Sequence, residues 1–278
     1  MSPRGLRAEA AIAGGDSAVE APGDPLTPSV PTSRARVRWN SWRGLVYQLA
    51  GIVLAFLALV FWLQTADLSP IELTTLAPNA LWVYTVEHIQ LTLLAAAIVL
   101  VIAIPLGIAL TRRPLRFLTG PVLVIANFGQ AAPAIGVVVL LAFWVGFGFW
   151  AATLSLVLYA MLPVLRNTMV GLQRVDAHLV EAGRGMGMSS AAVLFRVELP
   201  LAVPVMLSGV RTALVLLVGT AALATFVNGG GLGILITTGV NLSLTSVLVT
   251  GALLVALLAL LIDWLGRVVE HVARPKGL

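Results

Sequence analysis

The sequence predicts an all-α integral membrane protein with six transmembrane helices. Of its 278 residues, 59% are hydrophobic and only 10% are charged, and the mean hydropathy is +1.00. Soluble domains carry about 25% charged residues, so the composition excludes an ordinary soluble fold. The chain also contains long intervals without any charged residue, and each is long enough for two membrane helices joined by a turn.

The charge pattern sets the number of helices. Residues 117–165 and 212–262 contain no charged side chain, whereas the acidic and basic side chains of residues 44–111 are Asp67, Glu72, Glu87 and His88. Each interval predicts a pair of helices that returns the chain to the side it left. The flanking Lys and Arg residues favour the cytoplasm, so the pattern predicts three membrane hairpins with both termini in the cytoplasm.

The first part of the chain is predicted to lead into the membrane. Residues 1–40 are rich in Ala, Gly, Pro, Ser and Arg and indicate a disordered cytoplasmic tail. Residues 41–84 hold the first helix, at about 45–63, and an external loop, which continues to about Glu87. Several Arg and Trp residues just before this helix predict contact with anionic membrane lipid: Arg34, Arg36, Arg38, Trp39, Trp42 and Arg43.

The second helix is predicted at about 89–110, and the third begins near Phe117. Gln130 and Pro133 lie within the third. Polar and helix-breaking residues in mid-membrane must be buried among helices or line a wet path. Gln130 is therefore a candidate pathway residue, or alternatively part of a packing kink in which it bonds to a neighbouring helix.

The fourth helix is predicted to end at Leu165, the fifth to begin after Pro200, and the sixth to span about 242–265. Residues 268–278 are predicted to form a cytoplasmic tail. Arg211 and Asp263 lie at similar depth near the cytoplasmic interface and are a candidate structural ion pair. The external end of the fifth helix carries Asn228, Gly229 and Gly230 in a glycine-rich turn. A phosphate-binding loop is excluded because no Lys follows, so these residues are candidates for a gate or a contact with an external partner.

Residues 176–200 form the only long polar segment in the second half of the chain. Asp176 is a good N-cap for a helix, and Gly185 and Gly187 favour a turn after it. Ser189 or Ser190 can cap a second short helix, at 191–197. Pro200 either ends this helix or begins the next element. The segment predicts a helix–turn–helix hairpin on the cytoplasmic side.

The spacing within this hairpin resembles the EAA signature of ABC importer permeases. The matching residues are Glu181, Ala182, Gly183, Gly187, Leu199 and Pro200, with Gly183 where the signature usually has Ala. The resemblance implies a type I ABC importer permease fold over residues 85–267, with five helices, and a hairpin that docks on an ATPase subunit. The alternative is a solvated amphipathic loop in which Glu181 merely complements a helix N-terminus.

Three further strings resemble the quaternary-amine, or osmoprotectant, branch of these permeases. They are LPVLRNTMVGL at 162–172, EAGRGMGM with RVELPLAVPVMLSGVRTA at 181–188 and 196–213, and GGGLG at 229–233. The resemblance implies import of solutes such as glycine betaine, choline or carnitine. It also implies three partners: an ABC ATPase, a second permease subunit that is identical or homologous, and an extracytoplasmic substrate-binding protein.

Other classes of function find less support in the sequence. An importer of another solute, such as an amino acid, would share the architecture. A secondary transporter would need intramembrane charges or inverted repeats, and the uncharged intervals argue against a proton relay. With no Cys and three scattered His, neither a metal site, a cofactor nor an enzymatic centre is expected, and the charge distribution does not predict a nucleic-acid partner.

Overall fold

The computed structural model describes residues 42–273. The predicted N-terminal tail, residues 1–40, lies outside the described residues, as does the second half of the predicted C-terminal tail. Within residues 42–273 every regular element is helical. The α-helices are α1 Trp42–Thr65, α2 Pro70–Thr75, α3 Pro78–Thr111, α4 Thr119–Ala131, α5 Ala134–Val145, α6 Phe149–Gln173, α7 Ala177–Gly185, α8 Ser190–Val193, α9 Leu199–Ala221, α10 Gly233–Asn241 and α11 Thr245–Val272.

Three shorter helical segments connect these elements. Arg113–Leu118 and Ala222–Val227 are 3₁₀ helices, and Leu194–Glu198 is a π-helix between α8 and α9. Five helical stretches in the described chain are long and apolar enough to cross a membrane: α1, α3, α6, the continuous run Ser190–Val227, and α11. The pair α4–α5 forms a sixth when it is counted as one broken span. The prediction of an all-α protein with six spans is confirmed.

Helix α6 lies at the centre of the bundle, where it packs against α3, α4, α5 and α9. Small residues allow this close packing. A Cβ atom built on Gly107 of α3 would lie 2.9 Å from Thr168, and one on Gly171 would lie 3.1 Å from the carbonyl oxygen of Ala202 in α9. The surrounding core consists mainly of Leu, Ala and Val side chains.

Helix α1 lies at the edge of the bundle and packs on α11. Leu45 and Leu59 are buried in this contact, and the indole Nε1 of Trp264 donates to the carbonyl oxygen of Leu45 at 2.9 Å. Most other residues of α1 are apolar and exposed. This surface suits contact with lipid, because a lipid-facing helix needs no polar partner for its side chains.

The segment predicted as an external loop is largely helical. Ser69 and Glu72 form a capping box that begins α2, and Pro78 occupies the first turn of α3. A proline is favourable there because its missing N–H has no partner in the first turn. The second span therefore begins well before the predicted Ile89. The fourth and sixth spans also run past their predicted ends, to Gln173 and Val272.

The third span is not a single straight helix. Helices α4 and α5 meet at an angle of 104°, and Ala132 between them has an extended conformation (φ −64°, ψ 145°). Proline disfavours helical dihedrals in the residue before it, so Pro133 accounts for the break. Both helices of this elbow are too short to cross a bilayer alone.

Candidate functional site

The polar segment folds as the predicted helix–turn–helix hairpin. The backbone N–H of His178 donates to Asp176 Oδ1 at 2.9 Å, so Asp176 caps α7. The backbone N–H of Ala192 donates to Ser189 Oγ at 3.2 Å, which caps α8. Gly187 between them has φ +82°, a left-handed conformation that a residue with a side chain adopts at a cost. The turn therefore requires Gly at this position.

The six residues of the EAA signature have different surroundings in the hairpin. Glu181 and Ala182 are exposed, whereas Gly183 is buried where α7 approaches α8. A Cβ atom on Gly183 would lie 3.4 Å from Val193 Cγ2 and 3.6 Å from Met188 Sδ, so this position has room only for a small residue. Gly187 is exposed at the turn, and Leu199 and Pro200 form the first turn of α9.

The hairpin also exposes apolar side chains. Leu179, Met186 and Phe195 are 49%, 71% and 68% exposed. Glu181 is exposed on the same hairpin. The hairpin therefore presents both a carboxylate and large apolar side chains at its surface.

The second short helix does not end at Pro200. The backbone is helical without interruption from Ser190 to Val227. The N–H of Leu199 donates to the carbonyl oxygen of Leu194, five residues earlier. This wide turn immediately precedes Pro200, which has no N–H to donate. The hairpin is consequently joined to the membrane helix α9 by continuous helix, and of the two predicted outcomes at Pro200 the second is found, since α9 begins at Leu199.

A charge pair with a buried carboxylate ties this junction to α3, and the sequence did not reveal it. Arg112, which caps the C-terminus of α3, donates through Nη1 to Glu198 Oε1 at 3.2 Å and through Nη2 to Glu198 Oε2. Glu198 is 7% exposed. The two terminal nitrogens of an Arg guanidinium can bond to both oxygens of one carboxylate in this bidentate geometry. The pair therefore holds the segment between the hairpin and α9 against α3.

Arg211 and Asp263 lie together, with Arg211 Nε 3.7 Å from Asp263 Oδ1. The shorter contact of Arg211 is to a residue that sequence reasoning missed, since its Nη1 lies 3.0 Å from Glu270 Oε2. Arg267 and Gln48 also donate to Asp263 Oδ2, at 2.8 and 3.1 Å. Asp263, Arg267 and Glu270 follow one another at spacings of four and three residues. This helical spacing was the sequence signal that could have indicated the network. The network joins α1, α9 and α11.

At the opposite end of the bundle, the glycine turn (residues 228–233) connects α9 to α10. Asn228 is left-handed (φ +60°), as are Gly230 (φ +81°) and Gly231 (φ +90°). Gly229 is buried, and a Cβ atom on it would lie 2.7 Å from Ala152 of α6. The positive φ angles account for the Asn and Gly residues of this turn, which the sequence predicted as a glycine-rich turn.

The glycine turn is bound to α3 by two residues that the sequence analysis did not single out. The backbone N–H of Gly231 donates to Glu87 Oε2 at 3.0 Å. The N–H of Leu232 donates to His88 Nδ1 at 3.3 Å, and His88 Nε2 bonds to the carbonyl oxygen of Val218 in α9 at 3.0 Å. Glu87 had been placed in a loop, so its helical position beside the turn could not be anticipated.

Gln130 lies in the last turn of α4, directly before the elbow, and is half-buried. A cavity of about 500 Å³ opens elsewhere, between the 3₁₀ segment Ala222–Val227 and α10. Its lining includes Thr225, Phe226, Thr237 and Asn241, but not Asn228, Gly229 or Gly230. The four candidate pathway and gate residues thus do not line this cavity. Within residues 42–273, no cluster of metal-ligating side chains occurs.

The bundle, its polar hairpin and its glycine turn define a polytopic membrane permease. Residues 103–274 match the family described as the binding-protein-dependent transport system inner membrane component. That match covers more than half of the chain, so the chain belongs to this family. An ATPase and a substrate-binding protein are implied as partners of such a component, and the chain is a multi-pass protein of the membrane.

Curated relatives are similar over most of their length. The glycine betaine/carnitine/choline transport system permease protein OpuCB of Bacillus subtilis (strain 168) is 38% identical over 194 residues, which cover 70% of this chain and 88% of the relative. The choline transport system permease protein OpuBB of the same organism is 39% identical, with the same coverage. The osmoprotectant import permease protein OsmW of Salmonella typhimurium is 37% identical over 199 residues, which cover 70% and 92%.

Solved structures support the fold. A chain from inward-facing structures of the MetNI methionine ABC transporter superposes with a TM-score of 0.61 at 24% identity. The superposition covers 72% of this chain and 100% of that one. The predicted type I ABC importer permease fold is confirmed.

Proposed function

We propose that this chain is the membrane-spanning subunit of an ATP-driven importer for osmoprotectants of the quaternary-amine type, such as glycine betaine, choline or carnitine. The observation that carries the proposal is its similarity to permeases named for these solutes, at 37–39% identity over about 70% of the chain. The quaternary-amine strings lie within α6, the hairpin, α9 and the glycine turn. The chain supplies the path, and a separate subunit hydrolyses ATP.

The hairpin is the proposed docking site for the ATPase. It presents Glu181 as well as the exposed side chains of Leu179, Met186 and Phe195. A carboxylate on a surface with apolar side chains suits a cleft with basic groups at its rim. Because helix continues from Ser190 into α9, movement of the hairpin would be transmitted directly to a membrane helix.

Selection of the solute is assigned to the substrate-binding protein. A quaternary ammonium ion donates no hydrogen bond and is recognised best by aromatic faces. Among the described residues, the buried hydrophobic core contains Leu, Ala, Val and Met but no Phe, Tyr or Trp. Several large aromatic side chains are exposed, as Trp82 and Trp144 illustrate, and others, such as Tyr159 and Trp264, are half-buried. This composition favours a low-affinity path through the permease.

A second permease subunit, identical or homologous, would enclose the path and provide the second hairpin. In the proposed cycle, ATP closes the ATPase dimer and draws the two hairpins together, so that the glycine-turn end opens to a loaded binding protein. Both termini are assigned to the cytoplasm, since the basic residues flanking the spans then all lie inside. Hydrolysis of ATP restores the inward-facing state.

The test is uptake of labelled glycine betaine and choline at high osmolarity. Cells that lack this gene and other betaine uptake systems should regain uptake with the intact gene. They should not regain it with Glu181→Lys or Gly187→Asp, although immunoblots show both variants in the membrane. Gly185→Ala is the matched control, because Gly185 lies in the same hairpin with helical dihedrals and nothing within 4 Å of an added Cβ.

The two parts of the proposal fail separately in this experiment. Full uptake with both hairpin variants would contradict the docking assignment. No uptake of either solute with the intact gene and its co-expressed partner subunits would contradict the assignment of substrate, and would leave the family membership unchanged.

A further inference from the structure

Two adjacent residues at the glycine-turn end of α3 bind elements that are distant in sequence. We propose that Glu87 and His88 form a latch that holds the glycine turn and the end of α9 closed against α3, and that release of this latch opens the gate at that end. The inference rests on the proposed transport function for the role of the gate, although the latch itself follows from geometry.

His88 can occupy its place in only one neutral form. The carbonyl oxygen of Val218 can only accept a hydrogen bond, so His88 Nε2 carries the proton. The N–H of Leu232 can only donate, so Nδ1 presents its lone pair. The ring is fully buried. His88 therefore uses both ring nitrogens to join α9 and the glycine turn, one through each.

The carbonyl oxygen of Val218 lies close to the point where α9 changes its hydrogen bonding. The α-helix ends at Ala221 and continues as a 3₁₀ helix, and the N–H of Ala222 donates to the carbonyl oxygen of Thr220. The last carbonyl groups of a helix lack partners within it, and Val218 is 1% exposed. His88 Nε2 thus donates to a buried carbonyl oxygen in the last turn of α9.

The glycines seat the turn directly on the latch. A Cβ atom on Gly230 would lie 2.7 Å from Glu87 Oε2, and one on Gly231 would lie 3.0 Å from His88 Nδ1. Both glycines also need positive φ angles. Their small size thus permits the two hydrogen bonds between the turn and α3, and a side chain at either position would push the turn away from the latch.

The turn is joined firmly to its own neighbours. A Cβ atom on Gly233 would lie 1.9 Å from the carbonyl oxygen of Ala222, so α10 begins in direct contact with the start of the 3₁₀ segment. The N–H of Gly148, before α6, donates to the carbonyl oxygen of Val227 at 2.7 Å. The glycine turn, the 3₁₀ segment and the start of α10 consequently form one unit. Two hydrogen bonds to Glu87 and His88 fasten this unit to α3, and a third joins His88 to α9.

The experiment uses the absence of cysteine from the chain. Val227 is fully buried behind the turn, so Val227→Cys gives a single thiol that reports opening. The full chain is expressed with its partner subunits in membranes, and labelling by a membrane-impermeant maleimide is timed. Asn228→Cys, at an exposed position, shows that each variant is inserted with its turn accessible. Leu59→Cys, buried between α1 and α11, shows whether the bundle loosens as a whole.

Removing the latch should raise the labelling rate of Val227→Cys. His88→Leu has similar bulk but no polar atom, and its rate should rise about five- to tenfold because two hydrogen bonds are lost. Glu87→Ala should act in the same direction. His88→Gln should stay close to the parent rate, since an amide donates and accepts. Equal rates in all three variants would overturn the latch, as would a rise that Leu59→Cys shares.

A second arm tests the gate. In the parent chain, ATP with vanadate should raise the labelling of Val227→Cys, because the cycle then holds this end open. Unchanged labelling in a complex whose ATPase is inhibited by vanadate would overturn the gating role. Neither readout requires the solute to be known, so failure of glycine betaine uptake and failure of the latch are distinguishable.

Discussion

At the scale of single residues, the crossing of α6 and α9 depends on Gly209. A Cβ atom there would lie 2.4 Å from the Cβ atom of Asn167 and 2.8 Å from the carbonyl oxygen of Pro163. Both obstacles are close to the backbone of α6 and cannot rotate aside. The same helix contains Gly219, which is exposed and has nothing within 4 Å of an added Cβ.

We expect Gly209→Ala to destabilise the protein by about 1–3 kcal/mol, the usual cost of overpacking a tight contact. Gly219→Ala should be neutral or stabilise it by up to about 1 kcal/mol, because Ala favours a helix more than Gly does. Thermal unfolding of the purified protein in detergent compares the two variants. Equal melting temperatures would contradict the close approach of α6 and α9.

Glu72 gives a prediction about pH. Hydrogen bonds from the backbone N–H and the hydroxyl of Ser69 hold the pKa of Glu72 below its ordinary value. A carboxyl group whose pKa is lower in the folded state stabilises that state at pH values above its unfolded pKa, and this contribution is lost as the pH falls through the folded pKa.

The variant Glu72→Gln should therefore be less stable than the parent at pH 6, and the difference should shrink as the pH is lowered through the folded-state pKa of Glu72. The amide keeps the shape and an acceptor oxygen but removes the charge. Melting temperatures of both proteins across this range provide the measurement. A difference that stays constant with pH would show that the charge of Glu72 does not contribute.

Residue-level features were predictable where they depend on near neighbours. Asp176 and Ser189 cap helices that begin directly after them, and the φ of Gly187 follows from the turn between those helices. The partners of His88 lie 130 and 144 residues away, and Glu198 lies 86 residues from Arg112. Such pairs depend on how the helices pack, which the local sequence does not encode.

At the scale of elements, the Arg112–Glu198 pair joins the hairpin to α3. Glu198→Gln should lower stability by about 2 kcal/mol, the typical loss for a hydrogen bond to a charged group. Arg112→Glu should lower solute uptake more strongly than Glu198→Gln does, because two carboxylates would then face each other. The exchange Arg112→Glu with Glu198→Arg should restore part of the uptake.

Uptake and ATPase activity of these three variants are measured together. Uncoupling, with ATPase activity retained and uptake lost, is the expected signature of the single charge reversal. If the exchanged pair is no better than Arg112→Glu alone, the pair does not act through mutual contact.

Element boundaries were less predictable than the elements themselves. The apolar intervals indicated six spans, and all are present. The early start of α3 was hidden by the polar residues Thr85, Glu87 and His88, which find partners in the packed bundle or at its surface. The π-helix before Pro200 was likewise not visible, because the proline favours a boundary in the local sequence.

At the scale of the whole molecule, the alternation of spans predicts opposite sidedness for the hairpin and the glycine turn. A cysteine in place of Met186, which is 71% exposed, should be labelled only by reagent on the cytoplasmic side. A cysteine in place of Asn228 should be labelled only from outside. Right-side-out and inverted vesicles distinguish these cases, and labelling of both positions from one side would contradict the six-span topology.

The elbow of α4 and α5 has a consequence for biogenesis. At 1.5 Å per residue, the two helices are about 20 and 18 Å long, and neither reaches across a hydrocarbon layer of about 30 Å. Ala131 and Pro133 at the bend are exposed on the isolated chain. Lipid cannot satisfy the backbone there, so a chain synthesised without its partners would thin the bilayer around the bend. An orphan subunit would thus carry a local membrane defect, which assembly with its partners would remove.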